Sequence, residues 1–115
     1  MRIVNRQEFL SLPEGTIYCK YFGDYDFRRL CIKYKTWTND WIYLPIGDFD
    51  DCNNSEERID KIDIMIKDSL KSFPLRCDTT SRDGLFEDDE MFCIYDNSDV
   101  MGIINLLKET TSNGN

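Results

Sequence analysis

The chain contains no histidine in its 115 residues. That removes the commonest general base, the commonest metal ligand and the usual partner of a serine or cysteine nucleophile. Glycine (six) and proline (three) are sparse, and no glycine-rich stretch of the phosphate-cradling kind occurs. No apolar run approaches the roughly 20 residues that cross a bilayer. The opening MRIVNRQEFL has no apolar segment of signal-peptide length, so the protein is expected to stay where it is made. Positive charge is also short: 14 basic residues against 22 acidic ones leave a net charge of -8. Duplex nucleic acid is a polyanion held mainly through Lys and Arg, so general DNA or RNA binding is disfavoured. A small anionic ligand stays open, because local charge governs a pocket. Acidity also permits docking on a basic protein surface.

Cysteine is present but not in paired spacings. The five residues are Cys19, Cys31, Cys52, Cys77 and Cys93, an odd count with no CxxC. Three lie in strand-like apolar stretches, where a reduced cysteine behaves as a small hydrophobe. A reduced, cytoplasmic protein is the expectation. Without histidine, a reactive thiolate would need Lys, Arg or a helix N-terminus beside it. Cys19 and Cys31 have basic neighbours in sequence, Lys20 and Lys33, but packing is the simpler role.

The length suits one domain, and about two thirds of such a chain's surface can be buried. Asn5 and Glu8 have capping-box spacing and open a short helix, RQEFLSL, closed by Pro13 and Gly15. TIYCKYF, FRRLCIKYK and WIYLPI then read as three strands of an antiparallel meander. In the second, Leu30, Ile32 and Tyr34 alternate with Arg29, Cys31, Lys33 and Lys35. The apolar set is expected to face the core. Pro45 argues that the third strand ends there or lies at a sheet edge.

Asn54 or Ser55 can cap a long helix, EERIDKIDIMIKDSLKSF, whose Ile59, Ile62, Ile66, Leu70 and Phe73 fall on one stripe. RDG (Arg82 to Gly84) reads as a turn, MFCIY as a buried strand and DVMGIINLLKE as a last helix. These elements predict a single α+β domain over residues 1–109, with a flexible tail at 110–115. Its antiparallel sheet has about four strands, and the long and the last helix pack on one face. The stripe should be buried against a sheet containing Leu30, Ile32 and Phe92.

The two ends of the chain, EFLSLPEGTIYCKY and RDGLFEDDEMFCIYDNSDVMGIINLL, resemble a family of small proteins of tailed bacteriophages. The shared pattern is a short helix with "LP-G-T" into a strand, and "RDG-F-D-D" into "F-x-Y" and a "DV" helix. The resemblance covers both ends and leaves the middle without support. It implies a phage genome and expression in a bacterial cytoplasm. The family brings no established activity, so no catalytic residue is implied.

Two constellations carry chemistry. The acid run Glu87-Asp88-Asp89-Glu90 lacks the spacing and the glycine of a calcium loop. It reads first as a solvated loop guarding an aggregation-prone strand, then as a docking surface together with Asp48 to Asp51, and last as a metal site. The second is the middle hairpin, the one locally basic and aromatic region of an acidic chain. Five basic residues, Lys20, Arg28, Arg29, Lys33 and Lys35, lie among Tyr18, Tyr21, Tyr25, Tyr34, Trp37, Trp41 and Tyr43. The ligand set chosen from them is Arg28, Arg29, Lys33, Lys35, Trp37, Trp41 and Tyr43, with Arg82 as a partner from the RDG turn. Guanidinium forks match phosphate and aromatic faces stack on bases, so these types suit a nucleotide. The simpler reading is a strand's solvent face with aromatics filling the core.

Three functions stand at this stage. The first is a non-catalytic binder that sequesters a small nucleotide signal of host immunity, with a homo-oligomer expected. The second is an acidic inhibitor or nucleic-acid mimic on a host defence protein. The third is a metal-dependent phosphodiesterase. No cofactor or metal is expected, and no membrane partner.

Overall fold

A computed structural model describes residues 1–47, 52, 54–75, 79–84 and 87–112. Asn5 is extended (φ -83°, ψ 175°), and its side-chain oxygen accepts the Glu8 amide at 2.9 Å. That cap turns strand β1 (Arg2–Asn5) directly into helix α1 (Arg6–Leu10). Then come β2 (Ile17–Tyr21), β3 (Cys31–Thr36), β4 (Trp41–Pro45), α2 (Ser55–Lys67), β5 (Ser81–Asp83), β6 (Met91–Tyr95) and α3 (Asn97–Ser112). The six strands form one sheet in the order β1-β6-β2-β3-β4-β5, with every neighbouring pair antiparallel. The expected meander is present as β2-β3-β4. The four-strand expectation gives way to six. β1 becomes a strand because β6 offers it an edge, and the RDG segment pairs with β4 as β5 instead of only turning.

β6 enters between β1 and β2, so those two run parallel with α1 as their crossover. That crossover lays Phe9 on the sheet. The Phe9 ring stacks on Phe92 with centroids 3.9 Å apart, and it meets Tyr18 and Trp41 edge-on at 4.6 and 4.9 Å. Val4, Cys31 and Ile94 complete the core. Trp41 is buried without a stranded donor, because its Nε1 donates to the Tyr18 hydroxyl at 2.8 Å.

The inward face of β3 is the reverse of the expectation. Cys31 and Lys33 are buried, whereas Leu30, Ile32 and Tyr34 are half-exposed. α1 lies on the Lys33 side, and the ammonium finds acceptors there. Lys33 Nζ donates to the Leu12 carbonyl at 2.8 Å and to Thr36 Oγ1 at 2.5 Å, 5.7 Å from the Phe9 ring centroid. Beyond Lys33 the register slips, so that Thr36 and not Lys35 pairs with Trp41. The slip takes Lys35 off the core face.

The helix packing is also corrected. No residue of α2 is buried. Ile59, Ile62, Ile66 and Leu70 are exposed, and Phe73 is half-buried with Lys61 Nζ 5.4 Å from its ring. α3 leaves the sheet after its first turn: Asp99 and Val100 are half-buried, and residues 101–111 are all exposed. It continues through Ser112, past the expected start of the tail. The Thr110 and Thr111 hydroxyls donate to the carbonyls of Leu106 and Leu107 one turn back. The acid stretch at 48–51, Cys77 and residues 113–115 lie outside the described residues. Among the described residues, no helix is long and apolar enough to cross a membrane.

Candidate functional site

The acid run does not behave as one loop. Glu87, Asp88 and Asp89 are exposed, but Glu90 is 7% exposed and ion-paired on two sides. One oxygen takes the Arg6 guanidinium, and the other takes Lys20 Nζ at 2.7 Å. Lys20 also reaches Asp83 at 2.8 Å, and Arg6 donates to the Asn39 carbonyl. Both cations lie by the ring of Trp41, 5.2 Å away for Arg6 and 5.7 Å for Lys20. Burial pulls the Lys20 ammonium pKa down, but the bonds to Asp83 and Glu90 outweigh it and the net shift is upward. The reading of the whole run as a solvated loop is therefore corrected at Glu90. That residue ties α1, β2 and the entry to β6 together.

Lys20 forms one end of a cleft of about 530 Å³ on the same sheet face. The register explains its floor. Tyr18 pairs with Cys31 and Cys31 with Pro45, while Tyr43 and Asp83 lie on neighbouring strands. Its rim is Phe27, Arg28 and Arg29, set by an unusual turn. Gly23, Asp24 and Tyr25 all have positive φ (84°, 51° and 64°). Left-handed backbone is strained for a residue as bulky as tyrosine. The turn is closed by bonds from the Phe22 amide to the Asp26 carbonyl and from the Asp26 amide to the Gly23 carbonyl. The Arg28 amide then donates to the Lys20 carbonyl at 2.9 Å, which fixes the rim over the floor. Arg28 is braced by Asp26, at 3.2 Å from Nε and 2.9 Å from Nη2, and its guanidinium lies 4.5 Å from the Phe22 ring.

Lys20, Arg28 and Arg29 border this cleft, with Asp83 and Glu90 on Lys20 and Asp26 on Arg28. Burial pushes the Cys31 thiol up to about 11, and burial followed by the Asp83 charge raises the Tyr43 phenol. Both are protonated at neutral pH. The cleft thus offers hydrogen-bond donors, guanidinium forks and aromatic faces, and no thiolate nucleophile.

Of the eight residues singled out in the sequence, Arg28, Arg29 and Tyr43 meet in this cleft. Lys33 and Trp41 do not; at 1% and 0% exposure they belong to the core. Lys35, Trp37 and Arg82 gather elsewhere. The Arg82 guanidinium lies 4.5 Å from the Trp37 ring, and Lys35 Nζ lies 5.6 Å from it. Arg82 also pairs with Asp40 at 2.5 Å. Trp37 lines a second cavity, of about 630 Å³, with Arg6, Asn39 and Asp88. The eight chosen residues leave out Tyr18 and Lys20, which the sequence places in the same basic and aromatic hairpin, and Phe27 and Asp83, which sequence reasoning missed. Strand alternation puts Tyr18 and Lys20 on one face, and that signal was legible. Among the described residues, no group of three or more Cys, Asp or Glu side chains is placed to hold a metal ion. Compared with known protein families, curated proteins and solved structures, the chain matches none.

Proposed function

We propose that the protein is a non-catalytic binder of a small anionic ligand of the nucleotide class, held in the cleft between Arg28, Arg29 and Tyr43. The observation that carries this reading is the convergence of two guanidinium groups and two aromatic rings, Phe27 and Tyr43, around one cavity of about 530 Å³. That volume is of ligand size. The forks suit phosphate oxygens, and the rings suit a base. The absence of histidine and a protonated Cys31 favour binding over turnover. In the phage setting that the chain ends suggest, the ligand is a nucleotide signal of host immunity and the effect is sequestration.

Calorimetry against cyclic di- and trinucleotides and cyclic ADP-ribose isomers tests it. At least one should bind at micromolar concentration and be recovered intact after heating. A charge-assisted hydrogen bond is worth roughly 1.5–3 kcal/mol, so Arg29→Ala should weaken binding by roughly tenfold or more. Arg82→Ala, in the other cluster, should leave affinity unchanged. Degraded ligand would indicate an enzyme, and no binding by any member of the panel would sink the proposal. The second reading, an acidic inhibitor of a host protein, draws its support from the exposed Glu87, Asp88 and Asp89. A host protein that co-purifies with the wild type and is lost on neutralising those three would replace the first reading.

A further inference from the structure

A folded monomer of 13.6 kDa is expected to expose about 6,600 Å²; this chain exposes 8220 Å². The surplus is about 1,600 Å² against that scaling. The radius of gyration agrees: it is 16.3 Å, where a chain of this length packs to about 13 Å. No residue of α2 is buried and α3 is exposed from Met101 on, and α3 carries a run of apolar side chains. From Val100 to Leu107 the helix reads VMGIINLL, with no charged residue. Met101, Ile103, Ile104, Leu106 and Leu107 are all exposed. A lone helix of this length is marginal in water and gains its stability from a covered face.

The root of α3 is firm. The Asp99 amide donates to the Asp96 carboxylate and the Asp96 amide donates to that of Asp99, so the helix leaves the sheet in a fixed direction.

We propose that α3 is the contact helix of a homodimer, with its face of Val100, Ile103, Ile104 and Leu107 packed against the same face of a second copy. Two observations choose that occupant. An isologous contact uses one surface twice, so that surface must complement itself. An uncharged apolar face does so, whereas most other faces of a chain of net charge -8 would repel their own copy. The area also fits. A standard interface removes about 800 Å² from each partner, and the surplus of the whole chain over a compact monomer is about twice that. This inference does not rest on the ligand proposed above.

Sedimentation equilibrium of the full chain from about 1 to 100 µM tests it, with Ile104→Asp and Leu107→Asp as variants. The wild type should sediment at twice 13.6 kDa. A carboxylate buried in an apolar contact should raise the dissociation constant ~100-fold or more, leaving both variants monomeric. Fluorescence of the buried Trp41 should stay at its wild-type wavelength and show that the variants are folded. A second readout, hydrogen exchange of the amides of 103–107, should slow as wild-type concentration rises. A wild type that is monomeric at 100 µM overturns the proposal, as does a dimer that both variants leave intact. Monomer with another protein bound to α3 overturns it in favour of that partner.

Discussion

α1 has five residues and α2 has thirteen, yet the short helix places Phe9 at the centre of the core and the long one buries nothing. The two differ in attachment. α1 follows β1 without a loop, is capped by Asn5 and is clamped through Arg6 to Glu90, so its one large side chain is delivered to the sheet. α2 is capped as well, by Asn54 accepting the Glu57 amide at 2.8 Å, and has a good apolar stripe. What it lacks is a covered face: none of its residues is buried. Amphipathicity states which side of a helix avoids water, and the rest of the fold decides whether anything covers it.

The hardest test of that contrast is a pair of truncations. Phe9→Ala removes a ring that touches Phe92, Tyr18 and Trp41, and should cost about 4 kcal/mol in urea unfolding. Ile66→Ala should stay within about 0.5 kcal/mol of wild type, because an exposed side chain loses little. Equal losses would show that α2 is covered in solution and that the contrast is wrong.

Next in size comes the acid run, where the same contrast recurs over four residues. Glu90→Gln leaves Arg6 and Lys20 with a neutral partner in a buried site, and should cost about 3 kcal/mol. Glu87→Gln, on an exposed position, should change stability by less than about 0.5 kcal/mol. The Glu90 effect should persist in high salt, since a buried pair is screened far less than a surface one. A small, salt-sensitive Glu90 effect would return the whole run to the solvent.

Local signals were legible in the sequence, and pairings between distant segments were not. The Asn5 cap, the meander of β2 to β4 and the strand MFCIY could be read because each depends on neighbours in sequence. β1 and β5, of four and three residues, exist through partners far away in the chain. The orientation of β3 was misread because Lys33 looks like a surface residue. The acceptors that allow it inside, the Leu12 carbonyl and Thr36 Oγ1, are a tertiary fact. The cleft was half legible for the same reason. Arg28 and Arg29 stand out by type, but Lys20 and Asp83 join them only through the register of β2, β3, β4 and β5.

The two inward lysines give the smallest predicted effect, one of sign. Burial lowers the Lys33 pKa, and the charge of Glu14 offsets it only in part. Lys20 is raised overall by Asp83 and Glu90. The unfolded chain titrates both near the ordinary lysine value of about 10.4. For Lys33 the unfolded state holds its proton to higher pH than the folded state does. Stability from this residue therefore rises with pH between its lowered folded value and the unfolded one. For Lys20 the contribution is complete below the unfolded value and is lost as pH climbs through the raised folded one. Lys33→Met and Lys20→Met, each followed by melting temperature from neutral pH to about pH 11, separate the two. Relative to Lys33→Met, the wild type should gain as pH rises toward the unfolded lysine value. Relative to Lys20→Met, it should hold a constant advantage and then lose it beyond that value. Parallel profiles for the two variants would mean that Lys33 has an anionic partner in solution, and that the charged interior on the α1 side is paired throughout.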